Sequence, residues 1–177
     1  YGNQLWPQSD VALITQSVDE YIGQEPFHTY YMSVSGHMLY EWSGNCMAQR
    51  NRDAVADLPY SETTKGYLAS QLELEKALTL LLEKLETAGI ADRTLIVMGA
   101  DHIPYNDVPV LNELAGHELE SEFELYENTL IIWSSSMEEP IVVDKYCYSV
   151  DILPTISNLL GLSYDSRLLI GQDILSD

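Results

Sequence analysis

The chain has 177 residues, 46% of them hydrophobic, and its 28 acidic residues against 8 basic ones give a net charge of −20. This length can bury a core of its own, whereas the negative charge would repel polyanions and leaves no basic stripe to follow a phosphate backbone. The composition therefore predicts one domain over residues 1–177, with no second domain and no nucleic-acid binding. No apolar run reaches the roughly 18 residues that a spanning helix needs, so no membrane segment is predicted in this chain.

Helical and strand patterns alternate along the amino-terminal half, which favours an α/β layered fold. Residues 9–22 carry apolar side chains at helical spacing, with Ser9 or Asp10 placed to cap the helix. Residues 27–34 are rich in aromatic and β-branched side chains and predict a strand that ends just before His37. A candidate functional histidine is therefore expected at the end of a strand.

A polar segment separates this strand from the longest predicted helix. Residues 38–60 contain glycine, asparagine and proline and predict a long ordered loop near the functional site, because long loops in compact domains tend to be functional. Residues 62–88 then predict a helix whose leucine stripe packs on the sheet and which ends at Gly89.

Residues 94–105, Thr-Leu-Ile-Val-Met-Gly-Ala-Asp-His-Ile-Pro-Tyr, contain the clearest functional signal. The aliphatic run predicts a parallel strand buried on both faces, and ligands of open α/β sheets bind beyond the carboxyl ends of such strands. Asp101 and His102 follow the strand, and a carboxylate with a neutral imidazole suits Zn²⁺ or Mn²⁺. Asp101 could instead act as a general base, but shared metal coordination is the simpler interpretation. Two ligands are too few for a catalytic metal, so others must come from elsewhere.

The other histidines differ in what their positions predict. His37 is the second candidate for function, because Gly36 before it allows close backbone approach to a bound group. His28 is interpreted as a sheet residue and His117 as a surface or local structural residue. The chain lacks a Gly-x-Ser-x-Gly elbow, a P-loop and a Gly-x-Gly-x-x-Gly turn, which argues against a serine hydrolase, a nucleotide kinase and a Rossmann dehydrogenase.

The carboxyl-terminal part continues the alternation of strands and helices. Residues 106–123 are acidic and weakly patterned, residues 128–133 and 140–143 predict strands, and residues 149–160 predict a helix. The two cysteines match neither a metal-binding knuckle nor a redox motif, so a disulfide and two free thiols both remain open.

Three segments resemble the lipoteichoic acid synthase family. They are residues 30–37 (Tyr-Tyr-Met-Ser-Val-Ser-Gly-His), residues 67–105 (a leucine-rich helix, then a strand ending in Ala-Asp-His-Ile-Pro-Tyr) and residues 150–161 (Val-Asp-Ile-Leu-Pro-Thr-Ile-Ser-Asn-Leu-Leu-Gly). The resemblance covers nearly the whole chain. It implies an alkaline phosphatase/sulfatase-like α/β sandwich with a central mixed β-sheet flanked by helices, of which residues 1–177 are only a C-terminal part.

The resemblance also implies roles for individual residues. Asp101 and His102 would be two ligands of a catalytic divalent cation, Mn²⁺ first, with Mg²⁺ or Zn²⁺ as alternatives. His37 would hold the phosphate or glycerol group of the substrate, and Trp6 would lie beside it, although Pro7 and the residue after it depart from the family pattern. The family's threonine nucleophile and acidic metal ligand, both upstream, have no counterpart here, so this chain alone is expected to be inactive.

By the same resemblance, the parent enzyme is a metal-dependent phosphoglycerol transferase or phosphoesterase. Its partner would be a glycerophosphate-bearing lipid or teichoic acid polymer at the extracellular face of the bacterial cell membrane, in which the parent would be anchored. Exposed sheet edges in a partial domain would favour self-association.

Alternative functions stay open on the same scaffold. One group comprises a sulfatase, a phosphodiesterase or a phosphoethanolamine transferase, although neither Cys46 nor Cys147 has the Cys-x-Pro-x-Arg setting of a true sulfatase. The other is a non-catalytic domain that binds a protein partner, or binds envelope polymer through its tyrosines and tryptophans.

Overall fold

The structure, a computed structural model, describes residues 6–176. The chain divides into two compact units, Tyr1–Ser136 and Met137–Asp177, and each is described by itself. The expectation of a single domain over residues 1–177 stays a prediction. Within the described residues, no helix combines the length and apolar character needed to cross a bilayer.

Helices are the main regular structure of the first unit, and the two longest begin at serine caps. Ser9 accepts a hydrogen bond from the Ala12 amide, and Ser61 accepts one from the Thr64 amide, so each satisfies an amide that the first helical turn leaves free. These caps agree with the helices predicted for residues 9–22 and 62–88. In chain order the unit contains α1 (Asp10–Tyr21), α2 (Cys46–Arg50), α3 (Glu62–Thr87), β1 (Ile96–Met98), α4 (Val108–Ala115), α5 (Glu122–Tyr126) and β2 (Ile131–Trp133), with 3₁₀ turns at Arg52–Val55 and Ala91–Arg93.

The core of this unit lies along the long helix α3. Ile14 and Val18 of α1 pack with Ala77 of α3 in one buried cluster. Further along α3, Leu85 is buried against the chain that leads to β1, and Ile96 of β1 packs on that second cluster. The leucine stripe was expected to face a sheet. In the structure, Leu81 of the stripe packs on α1, and Leu85 lies in the cluster that includes Ile96 of β1.

Two of the predicted strands form the sheet of the described chain, but with a different pairing from the one expected. β1 pairs with β2 in the antiparallel sense, with Ile96 opposite Trp133. All three β1 residues are only partly buried. The expectation of a parallel strand buried on both faces is therefore wrong for this pairing. An aliphatic run predicts burial, whereas the direction of pairing depends on the partner strand, which the run does not encode.

The strand predicted for residues 27–34 is absent from the described structure, in which this segment forms neither strand nor helix. Tyr30 and Met32 are exposed to 77% and 67%. The Val34 amide bonds the carboxylate of Asp10 instead of a neighbouring strand. β-Propensity reflects the fit to a partly covered pleated surface, and the described residues place no partner strand beside this segment.

Two segments predicted without regular structure contain helices. Residues 38–60 include α2, because the Asn45 side chain accepts hydrogen bonds from the Met47 and Ala48 amides at 2.9 and 2.8 Å. Residues 106–123 include α4, which ends at Gly116 with φ of 77°. Short helices of this kind depend on their caps more than on hydrophobic periodicity, so the pattern did not reveal them.

The second unit contains α6 (Ile152–Leu159) and 3₁₀ turns at Ser149–Asp151 and Ser166–Leu168. This confirms the helix predicted for residues 149–160. The strand predicted for residues 140–143 is wrong, and Val142 is 87% exposed. Asp151 is buried and accepts hydrogen bonds from the Tyr148 and Gln172 amides, which hold the pKa of this carboxyl below its usual range. Cys46 and Cys147 are free thiols.

Candidate active site

Asp101 and His102 lie in the turn beyond the carboxyl end of β1, where the sequence predicted them. Their side chains are 73% and 41% exposed. One carboxylate oxygen of Asp101 accepts the His102 backbone amide at 2.9 Å, and the other lies 3.6 Å from Nε2 of the His102 ring. Two ligands of one tetrahedral ion, with bonds of roughly 2.0–2.1 Å, would stand about 3.4 Å apart. The separation of these two atoms is therefore close to that of a ligand pair.

The hydrogen bonding of His102 leaves one ring nitrogen free. Nδ1 lies 2.7 Å from the Ile103 carbonyl oxygen. A carbonyl oxygen only accepts, so in the neutral ring Nδ1 carries the proton and Nε2 keeps its lone pair. Metal-binding histidines commonly donate their second nitrogen to a carbonyl in this way. The residues present thus fit part of a divalent-cation site, and the described chain contains no cluster of three or more histidine, cysteine, aspartate or glutamate side chains that could complete it.

His37 lies next to this pair. The His37 and His102 ring centroids are 6.5 Å apart, and the rings are nearly perpendicular. Nδ1 of His37 lies 3.0 Å from the Met38 carbonyl oxygen, so Nε2 is again the free nitrogen. Trp6 donates its indole N–H to the same carbonyl at 3.2 Å, and its ring centroid lies 5.4 Å from that of His37. The structure therefore brings all four predicted site residues into one region, while their roles stay predictions.

Two buried polar residues hold the loop that carries His37, and sequence reasoning did not identify either. Asp10, 2% exposed, accepts hydrogen bonds from the Val34 and Ser35 amides and from the Ser35 hydroxyl. Asn45 is fully buried and donates from Nδ2 to the His37 carbonyl at 2.8 Å. The available signal for Asp10 was its position in the first turn of a predicted amphipathic helix, which also fits an ordinary cap. Asn45 lies in a segment predicted as a loop, so no helix start pointed to it.

Tyr105 and Asn106, which follow His102, were also not identified from the sequence as part of this region. Tyr105 stacks on the His102 ring, and Asn106 points its Nδ2 at the Met38 sulfur, 3.7 Å away. Nearby, burial raises the pKa of the Tyr40 phenol to about 12, and the charges of Tyr67 and Asp107 add to this effect. The loops after His37 and after His102 therefore contact each other at Met38 and Asn106.

The remaining histidines lie outside this region of the chain. His28 is exposed and belongs to no strand, so its interpretation as a sheet residue is wrong for the same reason as the strand around it. His117 is exposed and bonds the Glu124 carboxylate, in agreement with a surface position.

Comparisons of this chain with a family profile and with individual proteins agree with one another. The sequence profile of the family described as Sulfatase matches residues 2–162. The chain is 25% identical to a lipoteichoic acid synthase of Staphylococcus saprophyticus over 174 residues, which are 94% of this chain and 26% of that protein. It is 27% identical to lipoteichoic acid synthase 2 of Bacillus subtilis over 157 residues, 86% of this chain and 23% of that protein. The chain thus spans about a quarter of the length of these relatives.

A solved structure agrees with the sequence comparisons. The crystal structure of the lipoteichoic acid synthase LtaP from Listeria monocytogenes matches with a TM-score of 0.74 and 25% identity, covering 94% of this chain and 42% of that one. This confirms the predicted α/β, sulfatase-like fold, of which the described helices and two-stranded sheet are a part. Because the family profile and the solved fold both extend over most of its length, this chain belongs to the Sulfatase family.

Proposed function

We propose that this chain is the C-terminal part of the catalytic domain of a metal-dependent phosphoglycerol transferase. The observation that carries the proposal is the convergence of an Asp101 oxygen and the free Nε2 of His102, 3.6 Å apart beyond a strand end, with His37 beside them. The relatives named lipoteichoic acid synthases support a glycerophosphate-bearing lipid or polymer as the substrate.

Two of the described residues are proposed to bind the metal. Asp101 and His102 are the proposed metal ligands, and in the neutral His102 ring Nδ1 donates its proton to the Ile103 carbonyl, which leaves Nε2 as the ligand atom. When bound, a divalent cation, Mn²⁺ first and Mg²⁺ or Zn²⁺ as alternatives, supplies positive charge that stabilises the phosphoryl oxygens in the transition state. Both side chains are exposed, so a cation could reach them.

His37 and Trp6 are the proposed substrate contacts. Nδ1 of His37 is hydrogen-bonded to the Met38 carbonyl, so Nε2 is the nitrogen that can contact the substrate. In the neutral ring Nε2 can accept a hydrogen bond from a glycerol hydroxyl, and in the protonated ring it can donate one to a phosphate oxygen. Trp6 donates its only N–H to the same carbonyl, and the residue is 50% exposed. Its ring can therefore contact the carbon skeleton of the substrate.

The rest of the site belongs, in this proposal, to a longer protein. A threonine nucleophile and an acidic metal ligand would come from a segment upstream of these residues, because two ligands and no nucleophile cannot activate a phosphoryl transfer. The small share of the relatives that this chain covers supports that arrangement. The parent would act at the extracellular face of the bacterial cell membrane, and residues 1–177 alone would be inactive and prone to self-association.

The test is Mn²⁺-dependent hydrolysis of a glycerophosphate or aryl phosphate ester by the protein extended upstream through the rest of its catalytic domain. We expect activity that is lost in Asp101→Asn and His102→Ala and kept in His117→Ala, which removes an exposed histidine that bonds only local groups. Turnover by residues 1–177 alone, or activity that survives His102→Ala, would contradict the proposal. An extended protein that neither binds metal nor turns over ester would favour a polymer-binding domain.

A further inference from the structure

Tyr105 covers one face of the His102 ring. The two ring centroids are 5.1 Å apart and the ring planes differ by 16°, which is the geometry of an offset stack. The stack is local, because the Tyr105 amide donates to the Ile103 carbonyl at 2.9 Å, the same oxygen that accepts from Nδ1 of His102. One carbonyl therefore anchors both the turn that carries Tyr105 and the ring on which it lies.

Core packing does not account for this position. Tyr105 is 60% exposed, and within residues 6–176 its hydroxyl makes no hydrogen bond, so the ring face is the part of the side chain that the structure uses. Exposed tyrosines elsewhere in the unit, such as Tyr30 at 77% exposure, have no such ring neighbour among the described residues.

The stack and the Ile103 carbonyl together restrict motions of the His102 ring that would spoil the ligand geometry. The terminal torsion of a histidine is soft and roughly two-fold. A half-turn about it would exchange the positions of the two ring edges and carry Nε2 away from the Asp101 oxygen that now lies 3.6 Å from it. The Ile103 carbonyl opposes this rotation at one edge of the ring, and Tyr105 opposes any tilt of the ring plane.

We propose that Tyr105 is a positioning residue that fixes the His102 ring with Nε2 toward Asp101. The inference rests on the proposed function in one respect, namely that His102 binds a metal. The orientation of the ring is a property of the metal-free chain and can be measured without any metal. Tyr105 itself touches neither metal nor substrate in this account.

The experiment uses ¹H NMR of the four histidine rings in the 177-residue chain, first without metal. We expect the His102 ring protons to be shifted upfield by the Tyr105 ring current, to keep that shift in Tyr105→Phe, and to lose it in Tyr105→Leu. Tyr30→Leu is the matched control and leaves His102 unchanged. Unchanged His102 signals in Tyr105→Leu would overturn the proposal, whatever the metal does.

The second arm adds Mn²⁺ and follows the broadening of the His102 signals. In Tyr105→Leu the Mn²⁺ concentration for half-broadening should rise about two- to tenfold, the factor that corresponds to one aromatic pair, and Tyr105→Phe should restore the wild-type value. Equal values in all three proteins would overturn the positioning role. If Mn²⁺ does not select His102 even in the wild type, the proposed metal function fails. The positioning role is then decided by nuclear Overhauser contacts between the His102 ring and Asp101: contacts that are the same in wild type and Tyr105→Leu would overturn it.

Discussion

The buried carboxylate of Asp10, in the first turn of α1, accepts a hydrogen bond of 3.1 Å from the Ser35 backbone amide. The same carboxylate also takes the Val34 amide and the Ser35 hydroxyl. Because His37 lies two residues further along, α1 fixes the start of the loop that carries a candidate substrate ligand.

Asp10→Asn should therefore destabilise the chain and disturb His37. Replacing the carboxylate by an amide removes charge-assisted acceptance and places an N–H₂ group against backbone amides, at a cost of about 1–3 kcal/mol in the free energy of unfolding. Urea unfolding measures the loss, and the His37 ring signals should move. Asp19→Asn, on the same helix with a side chain 73% exposed in an ion pair with Lys84, should change stability by less than about 1 kcal/mol. Equal losses in both variants would contradict a special role for Asp10.

Asn45 holds the other side of the same loop. Asn45→Asp keeps the oxygen that caps α2 but replaces the donor to the His37 carbonyl by a second oxygen, 2.8 Å away. We expect a loss of about 2 kcal/mol or more, since a buried carbonyl is left facing a carboxylate oxygen. Asn128→Asp, in which an exposed asparagine also donates to a backbone carbonyl, is the control and should be close to neutral. If Asn45→Asp unfolds at the wild-type urea concentration, the bond to His37 is not structural.

Gly66 allows α3 to approach the backbone of Tyr40, just after the loop of His37. A Cβ at this position would lie 2.1 Å from the Tyr40 carbonyl oxygen, so Gly66→Ala must push the two segments apart. We expect a loss of about 1–3 kcal/mol, as for other overpacked sites. At Gly23 nothing lies within 4 Å of an added Cβ, and Gly23→Ala should be neutral or slightly stabilising. Thermal unfolding of the two variants measures the difference. Equal melting temperatures would contradict the close approach of Gly66 to the Tyr40 carbonyl.

His117 and Glu124 form an exposed pair with a predictable pH dependence. The Glu124 carboxylate raises the pKa of His117 above its ordinary 6.5, and the imidazole holds the pKa of Glu124 below its ordinary 4.5. The pair therefore stabilises the fold fully between these two ordinary values. Its contribution is lost as pH rises through the raised pKa of His117, and also as pH falls through the lowered pKa of Glu124. The melting temperature of His117→Gln should fall furthest below that of the wild type near pH 5.5, and the two should converge as the pH rises through the raised pKa of His117. A difference that does not vary with pH would contradict this account.

The sequence predicted the elements whose signals are local. Helices α1 and α3 have both an apolar stripe and a serine cap, so their existence and starts follow from neighbouring residues. Residues 27–34 and 140–143 have the composition of strands, but a strand also needs a partner, and composition does not encode one. The pairing of β1 with β2 was missed for the same reason.

The candidate site was predicted from adjacency in sequence for Asp101 and His102, and from the family resemblance for His37 and Trp6, which are distant from that pair in sequence. Asp101 and His102 follow a strand together, and their proximity needs no tertiary information. The supporting residues could not be found in this way. Asp10 and Asn45 form hydrogen bonds with backbone groups of the loop that carries His37. Tyr105 reaches His102 through a turn whose geometry the sequence Ile-Pro-Tyr does not specify.

The central claim is that Asp101 and His102 bind one divalent cation, and residue-resolved Mn²⁺ titration of the chain tests it most directly. The titration is run at about 0.15 M salt, which screens weak binding to the acidic surface. We predict that the His102 ring signals broaden at a lower Mn²⁺ concentration than those of exposed His28, and that Asp101→Asn removes this preference. Broadening of His102 no earlier than that of His28, or a preference that survives Asp101→Asn, would contradict the account.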